Sequence, residues 1–244
     1  MKFALISDIH GNAVALDAVL RDIDKCQVDG LLVLGDLVYR GPEPKRVLTT
    51  LRSTGATVIG GNADTWVARG IADGEAPEAS LVRMREEREW TVRQLTDEDL
   101  DFLASLPTVH TVQLDEDTSM LLCHATPANR LKTIPPEAPE EELFPLFFGH
   151  HKGLRPRIVA YGHIHVPFVR AINGSVLLNT GSVGMSFDHH PMPSYALVEY
   201  SDEGVSFQLR RVNYGRDQAI AALHRAAYPH AEHLATCYQH GVRP

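Results

Sequence analysis

The sequence predicts an α/β fold with parallel strand pairing, and three observations carry that prediction. Short apolar runs alternate with segments of helical periodicity, the first three runs each end in a loop of Gly, Asp, Asn or His, and no stretch repeats or falls into low complexity. Lys2 to Ser7 is a run of strand type, followed by Asp8-Ile9-His10-Gly11-Asn12; Ala13, Leu16, Val19, Leu20 and Ile23 then recur at helical spacing. Leu31 to Leu34 is too short for a helix and closes on Gly35-Asp36, after which Pro42 is placed to open a helix carrying Val47, Leu48 and Leu51. Ala56 to Ile59 repeats the pattern and ends in Gly60-Gly61-Asn62.

From Thr65 to Leu106 the texture becomes charged and helix-favouring, which reads as a helical insertion or edge; the cluster Arg83, Arg85, Glu86, Glu87 and Arg88 is expected to be a solvated helix face. After Pro107, Val109 to Leu114 and Ser119 to Cys123 read as strands around the turn Asp115-Glu116-Asp117, with His124 closing the second. Thr126 to Pro156 holds six prolines and should be largely loop, with only short helices. Ile158 to Tyr161 is a strand that delivers Gly162-His163-Ile164-His165, and a β-rich run from Val166 to Val212 leads to an amphipathic helix near Arg216 to Ala227. A chain of 244 residues can bury one core, so residues 1–244 are expected to form one domain, with the insertion at about 65–106 and a helical tail from about 216.

Composition narrows the function. Lys and Arg number 23 against 31 Asp and Glu, a formal charge of −8, which disfavours non-specific nucleic-acid binding. No apolar run approaches the roughly 20 residues of a membrane helix, and the N-terminus reaches Asp8 too soon for a signal peptide, so a cytoplasmic location without membrane contact is expected. Cys26, Cys123 and Cys237 lie far apart in no zinc or redox spacing and read as free, mostly buried thiols. The compositional oddity is the 13 histidines, several of them at strand ends.

In open α/β sheets, ligands bind beyond the carboxyl ends of the strands, where the polar residues that follow several strands converge. Here those residues are metal-ligand types: Asp8, His10, Asp36, Asn62, His124, His163 and His165. Asp8 and His10, like His163 and His165, are one residue apart, a spacing that in extended chain sends both side chains to one side. The mixture of imidazole, carboxylate and amide oxygen suits borderline first-row ions. His150-His151 and His189-His190 are adjacent pairs, badly arranged for one ion and read as loop residues, with His189 or His190 held open as a proton donor. Trp66, Phe144, Phe147 and Phe148 are open to lining a lid over the substrate, but aromatic residues at such spacing are more often core, and they are assigned no role.

Asp8-Ile9-His10, Gly35-Asp36, Gly61-Asn62, His124 and Gly162-His163-Ile164-His165, in this order, resemble the calcineurin-like metallophosphoesterases over Met1 to about Tyr200. Asp8-Ile9-His10-Gly11-Asn12 and Asn179-Thr180-Gly181-Ser182-Val183-Gly184 bring the resemblance closest to the small bacterial and archaeal phosphodiesterase branch. The resemblance implies a four-layer αββα sandwich of two mixed sheets flanked by helices. It implies two divalent metal ions, with Mn, Fe or Ni favoured and Zn, Co or Mg admitted. Asp8, His10 and His165 would bind one ion, Asn62, His124 and His163 the other, and Asp36 would bridge them. Two such ions about 3.5–4 Å apart would clamp both oxygens of an in-line displacement and acidify a bridging water, supplying hydroxide as the nucleophile for a phosphodiester.

Asp36, Asn62, His124 and Arg40 are the residues assigned to catalysis, with Arg40 resembling the phosphate-gripping arginine of the phosphoprotein-phosphatase branch. The main departure is Ala63, where many members carry a proton-donating histidine; Asp64 then reads as a residue that orients a ligand. The expected substrate is a small-molecule or nucleotide phosphoester. The alternatives are a phosphomonoesterase, protein phosphatase or dinucleoside-polyphosphate hydrolase, or a non-catalytic scaffold on the same fold, and a homodimer is left open.

Overall fold

The computed structural model describes residues 1–149 and 155–243. The predicted pair His150-His151 lies outside the described residues. Strands and helices run in the order β1 (Lys2–Ile6), α1 (Ala13–Ile23), β2 (Gly30–Val33), α2 (Pro44–Thr54), β3 (Thr57–Val58), α3 (Asn62–Arg69), α4 (Glu78–Val92) and α5 (Asp97–Ser105). They continue as β4 (Val109–Gln113), β5 (Ser119–Cys123), α6 (Glu140–Phe148), β6 (Ile158–Tyr161), β7 (Phe168–Ile172), β8 (Ser175–Asn179), β9 (Ser194–Ser201), β10 (Gly204–Arg211), α7 (Arg216–Arg225) and α8 (Ala231–His240).

One sheet has the order β10-β9-β1-β2-β3 and the other β4-β5-β6-β8-β7. β1, β2 and β3 pair in parallel, as do β5, β6 and β8, while β9, β10, β4 and β7 pair antiparallel, so both sheets are mixed. In the inner strands, such as β5 and β6, side chains alternate between two buried faces, which is why these runs read as continuous apolar stretches, whereas the outer strands β4 and β10 are largely exposed. Leu5, Leu32, Leu34, Met120, Leu122, Ile158, Ala160, Leu178, Ala196 and Val198 fill the space between the sheets. Ala4, Ile6 and Val33 face the layer of α1, α2 and α3, where Leu16, Val19, Val47, Leu48 and Val67 are buried. Leu121, Cys123, Val159 and Tyr161 face α6 through Leu143, Phe147 and Phe148. The result is a four-layer mixed α/β sandwich.

The insertion resolves into α3, α4 and α5, and its charge cluster is only partly a solvated face. Glu87 is buried, and Arg88 donates to Trp66 O and Val67 O at 2.8 and 2.9 Å, stitching α4 to α3. The tail holds two helices rather than one: α7 and α8 bury Leu223, Leu234 and Tyr238 against Trp90 and Met185. His230 at the start of α8 has φ of 57°, a left-handed turn that no periodicity announces. Among the described residues no helix is long and apolar enough to cross a membrane.

Candidate metal centre

The parallel strands β1, β2, β3, β5 and β6 bring their carboxyl ends to one edge of the sandwich, and the loops after them carry the predicted ligands. Asp8, His10, Asp36, Asn62, His124 and His165 are buried, and His163 is partly so. The pairs Asp8/His10 and His163/His165 do converge, but not by strand pleating. Asp8, His10, His163 and His165 have φ of 54°, 49°, 65° and 58°, and Asp36 has 57°. The loops are therefore left-handed turns, and Asp and His are among the residues that tolerate that region. Backbone bonds hold them there: Asp8 N donates to Gly35 O at 3.0 Å, His10 N to Asp36 O at 3.0 Å and Gly162 N to His124 O at 2.9 Å. Such strain persists where the surroundings over-determine it, and it gathers at functional sites.

Around these loops, other sequence motifs act as braces. Asp64, fully buried on α3, accepts from Asp36 N and Leu37 N at 2.8 Å and from Gly61 N at 2.9 Å, tying the loops after β2 and β3 together. Burial and the neighbouring Asp36 charge push its carboxyl up to about 6 against those three donors. Asn179 donates to Gly162 O at 2.6 Å and accepts from Gly181 N at 2.9 Å. Gly184 N and Ser182 Oγ both donate to Asp8 O, at 2.9 and 2.8 Å. Asn12 caps α1 by accepting from Ala15 N and donates to Gly184 O at 3.2 Å.

The imidazoles are aimed by their outer nitrogens. His10 Nδ1 and His124 Nδ1 lie 2.7 Å from Tyr39 O and Leu34 O, and His165 Nδ1 bonds Met185 O. A carbonyl can only accept, so each Nδ1 carries a proton and each Nε2 points inward. Inward, they meet acceptors. His10 Nε2 stands 3.2 Å from His165 Nε2, and His163 Nδ1 stands 3.3 Å from His124 Nε2. Asp8 Oδ2 accepts from His163 N at 2.9 Å, whereas Oδ1 is buried with no hydrogen-bond partner among the described residues, 3.2 Å from His165 Nε2 and 3.8 Å from His10 Nε2. Asp36 Oδ1 accepts from Ala63 N at 2.9 Å, and its Oδ2 lies 3.3 Å from His124 Nε2 and 3.7 Å from His10 Nε2, between the two histidine pairs. The Asn62 side-chain oxygen is 3.0 Å from His163 Nδ1 and 3.1 Å from His124 Nε2, an orientation that hydrogen bonding alone would reverse.

Protons do not resolve this cluster. Although burial opposes charge on His124, Asp36 overrides it and raises the imidazole to about 10. Burial and the neighbouring His124 push His163 down to about 4, and burial lowers His165. Asp8, despite burial, is held well below the usual carboxylate range, chiefly by His165 and His10. Inward-facing imidazole nitrogens thus crowd around two anionic carboxylates, with an added proton on His124 that a bound cation would displace. Two overlapping groups have ligand atoms within 4.8 Å of one another: Asp8, His10 and His165, and Asp8, Asp36 and His124. These residues fit divalent metal, with mixed nitrogen and oxygen donors.

The centre opens into a cavity of about 340 Å³, whose walls include Tyr39, Arg40, Ala63, Trp66, Arg83, Thr133, Phe187 and Arg243. Arg40, at φ 65°, turns its Nε to within 3.2 Å of buried Glu87. Phe144, Phe147 and Phe148 pack away from it around α6, as read, but Trp66 lines it. His189 and His190 are not among its lining residues. Sequence reasoning missed Arg83, Phe187 and Arg243 as lining residues, although Phe187 follows Gly184 of the Asn179–Gly184 motif by three residues; Phe187 stacks on the His165 ring at 4.1 Å and 7°.

A sequence model of the calcineurin-like phosphoesterase superfamily domain matches residues 1–203. An uncharacterized protein of Methanocaldococcus jannaschii is 28% identical over 243 residues, 93% of each chain. The symmetrical bis(5'-nucleosyl)-tetraphosphatase of Pectobacterium atrosepticum is 32% identical over 131 residues, which are 51% of this chain and 43% of that protein. Among solved structures, a metallophosphoesterase from Sphaerobacter thermophilus superposes with a TM-score of 0.76 at 28% identity, covering 99% of both chains. A hypothetical protein from Pyrococcus horikoshii superposes at 0.82 with 17% identity over 100% of this chain and 99% of that one, a likeness of fold alone. With the family model spanning every strand but β10 and every strand-end loop of the candidate metal centre, the chain belongs to the calcineurin-like phosphoesterase superfamily.

Proposed function

We propose that the protein is a dinuclear metal-dependent phosphoesterase that hydrolyses phosphodiester bonds. The observation that carries this reading is Asp36: its carboxylate lies between the His10 side and the His124 side of one buried cluster of inward-facing imidazoles. Asp8, His10 and His165 would hold one divalent ion, and Asn62, His124 and His163 the other, with Asp36 shared. When bound, the pair supplies Lewis acidity toward the phosphoryl oxygens and acidifies a water for in-line attack.

The chain's own residues do the rest. Backbone carbonyls of Leu34, Tyr39 and Met185 hold the Nδ1 protons, so His10, His124 and His165 stay fixed in tautomer and direction. Arg40 sits at the cavity wall, where its guanidinium binds non-bridging phosphate oxygens; Glu87 holds its Nε edge. Ala63 lines the cavity beside Asn62 and donates no side-chain proton, so the chain favours esters with good leaving groups. A diester needs no fully ionised terminal phosphate to be neutralised, which suits a site whose catalytic donors are mostly metal ligands.

The runner-up is hydrolysis of dinucleoside polyphosphates, favoured by the relative of that activity and by the size of the cavity. The metal is expected to be Mn, Fe or Ni, and the location cytoplasmic. Metal-stripped protein reconstituted with Mn²⁺ is tested on bis-p-nitrophenyl phosphate and on p-nitrophenyl phosphate, with Asp36→Asn alongside. Faster cleavage of the diester and a dead variant support the reading; preference for the monoester makes the protein a phosphatase, and no cleavage with any of these metals leaves a scaffold.

A further inference from the structure

The wall of the cavity carries three arginines in a chain of net charge −8. Arg40, from the loop after β2, has Glu87 as its partner. Arg83, on α4, and Arg243, after α8, have no carboxylate within ion-pair distance among the described residues. Arg83 meets His233 Nε2 through one terminal nitrogen, and its buried Nε has no hydrogen-bond partner. Arg243 lies over the Phe187 ring, its guanidinium carbon 5.4 Å from the centroid, and Phe187 in turn stacks on His165. The tail is thereby coupled to a residue of the metal cluster. Of the carboxylates on the same cavity, Asp36 belongs to the metal centre, and Glu75 is taken up by Arg69, Trp66 Nε1 and Ala72 N. Like charges gathered around one cavity repel, and nothing in the wall neutralises Arg83 and Arg243.

The volume carries the argument further. A space of about 340 Å³ exceeds what a lone phosphate fills and falls in the range of small organic ligands. Its apolar lining includes Trp66, Met84, Leu131 and Phe187. We propose that Arg83 and Arg243 form a second anion subsite, which binds a further phosphate of the substrate next to the one cleaved. The substrate is therefore an organic ester carrying at least two phosphates, with the insertion and the tail, rather than the strand-end loops, setting that preference. This rests on the phosphoesterase reading above.

The test compares two nucleotide esters on the Mn²⁺-loaded protein: p-nitrophenyl thymidine 5'-phosphate, with one phosphate, and diadenosine tetraphosphate. In Arg83→Gln and in Arg243→Gln the ratio of kcat/KM for the tetraphosphate to that for the single-phosphate ester falls by about 10- to 100-fold, the worth of a charge-assisted hydrogen bond. Arg83→Lys and Arg243→Lys recover part of it, which a folding defect would not do. Independently, calorimetry on the metal-free protein with inorganic tripolyphosphate shows binding that the double Gln variant weakens at least about tenfold. An unchanged ratio in folded variants, or tripolyphosphate binding indifferent to both arginines, overturns the subsite. If the wild type cleaves neither ester, the phosphoesterase reading fails, and the calorimetry still decides whether the arginines hold phosphate.

Discussion

Gly61→Ala tests how tightly the metal centre is built. Gly61 precedes α3 with φ of −90°, a value any residue adopts, so the obstacle is purely steric. An added Cβ would stand 2.7 Å from Asp36 N and 2.8 Å from Asp36 Cγ, and would overlap Asp36 Oδ1 outright. Against an ordinary contact of 3.4 Å or more, the loops after β2 and β3 must separate by about 0.7 Å, and the carboxylate oxygen by more. That movement breaks the bond from Ala63 N to Asp36 Oδ1 and draws Oδ2 away from His124 and His10. Overpacking of this kind costs about 1–3 kcal/mol, which in a chain of this length lowers Tm by roughly 2–12 °C. The larger effect is on function, because a displacement near 1 Å at a reacting centre costs about 10²-fold in rate. The assay is kcat/KM for bis-p-nitrophenyl phosphate with Mn²⁺, read beside bound metal per chain and a melting curve. A folded variant with activity within about threefold of wild type and full metal content would refute the claim that Asp36 must sit where it does.

Other perturbations separate positioning from packing. Asn179→Ala leaves the buried Gly181 N–H without its acceptor and frees Gly162 O from the side-chain amide, so stability falls by about 1–3 kcal/mol in denaturant titrations, and an unchanged midpoint would contradict the bracing role. Glu87→Gln keeps the shape beside Arg40 but removes the charge that holds it, so KM for the diester rises by about tenfold with a smaller change in kcat; an unaltered KM would detach Arg40 from the substrate. Asp22 is lowered, against its burial, by hydrogen bonds from Tyr195 and Arg210. A depressed carboxyl stabilises above its unfolded value of 3.8 and loses that contribution as pH falls through the folded value. Asp22→Asn is therefore less stable than wild type at neutral pH, with the gap closing below pH 3.8; a gap independent of pH would refute the assignment.

The strand-end residues were legible because parallel strands in a mixed sandwich must deliver their following loops to one edge, so Asp8, Asp36, Asn62, His124 and His163 announce a common site by order alone. Their backbone was not legible. Spacing in Asp8-Ile9-His10 suggested a pleat, whereas both polar residues occupy the left-handed region, held there by Gly35 O and Asp36 O from the neighbouring strand's loop. Local sequence carries no trace of such long-range backbone bonds. Glu87 and Arg83 were hidden for a related reason: a charged cluster on a helix looks solvated until α3 and α8 pack against it and turn one face inward. Arg243 belongs to a segment far from every motif, and only tertiary packing brings it to the cavity.

The central claim is that one buried cluster holds two cations through a shared Asp36. Metal-stripped protein equilibrated with Mn²⁺ and analysed for bound metal tests it most directly. The account predicts two ions per wild-type chain and fewer than two in a folded Asp36→Asn variant; one ion or none in the wild type, or two in the variant, would contradict it.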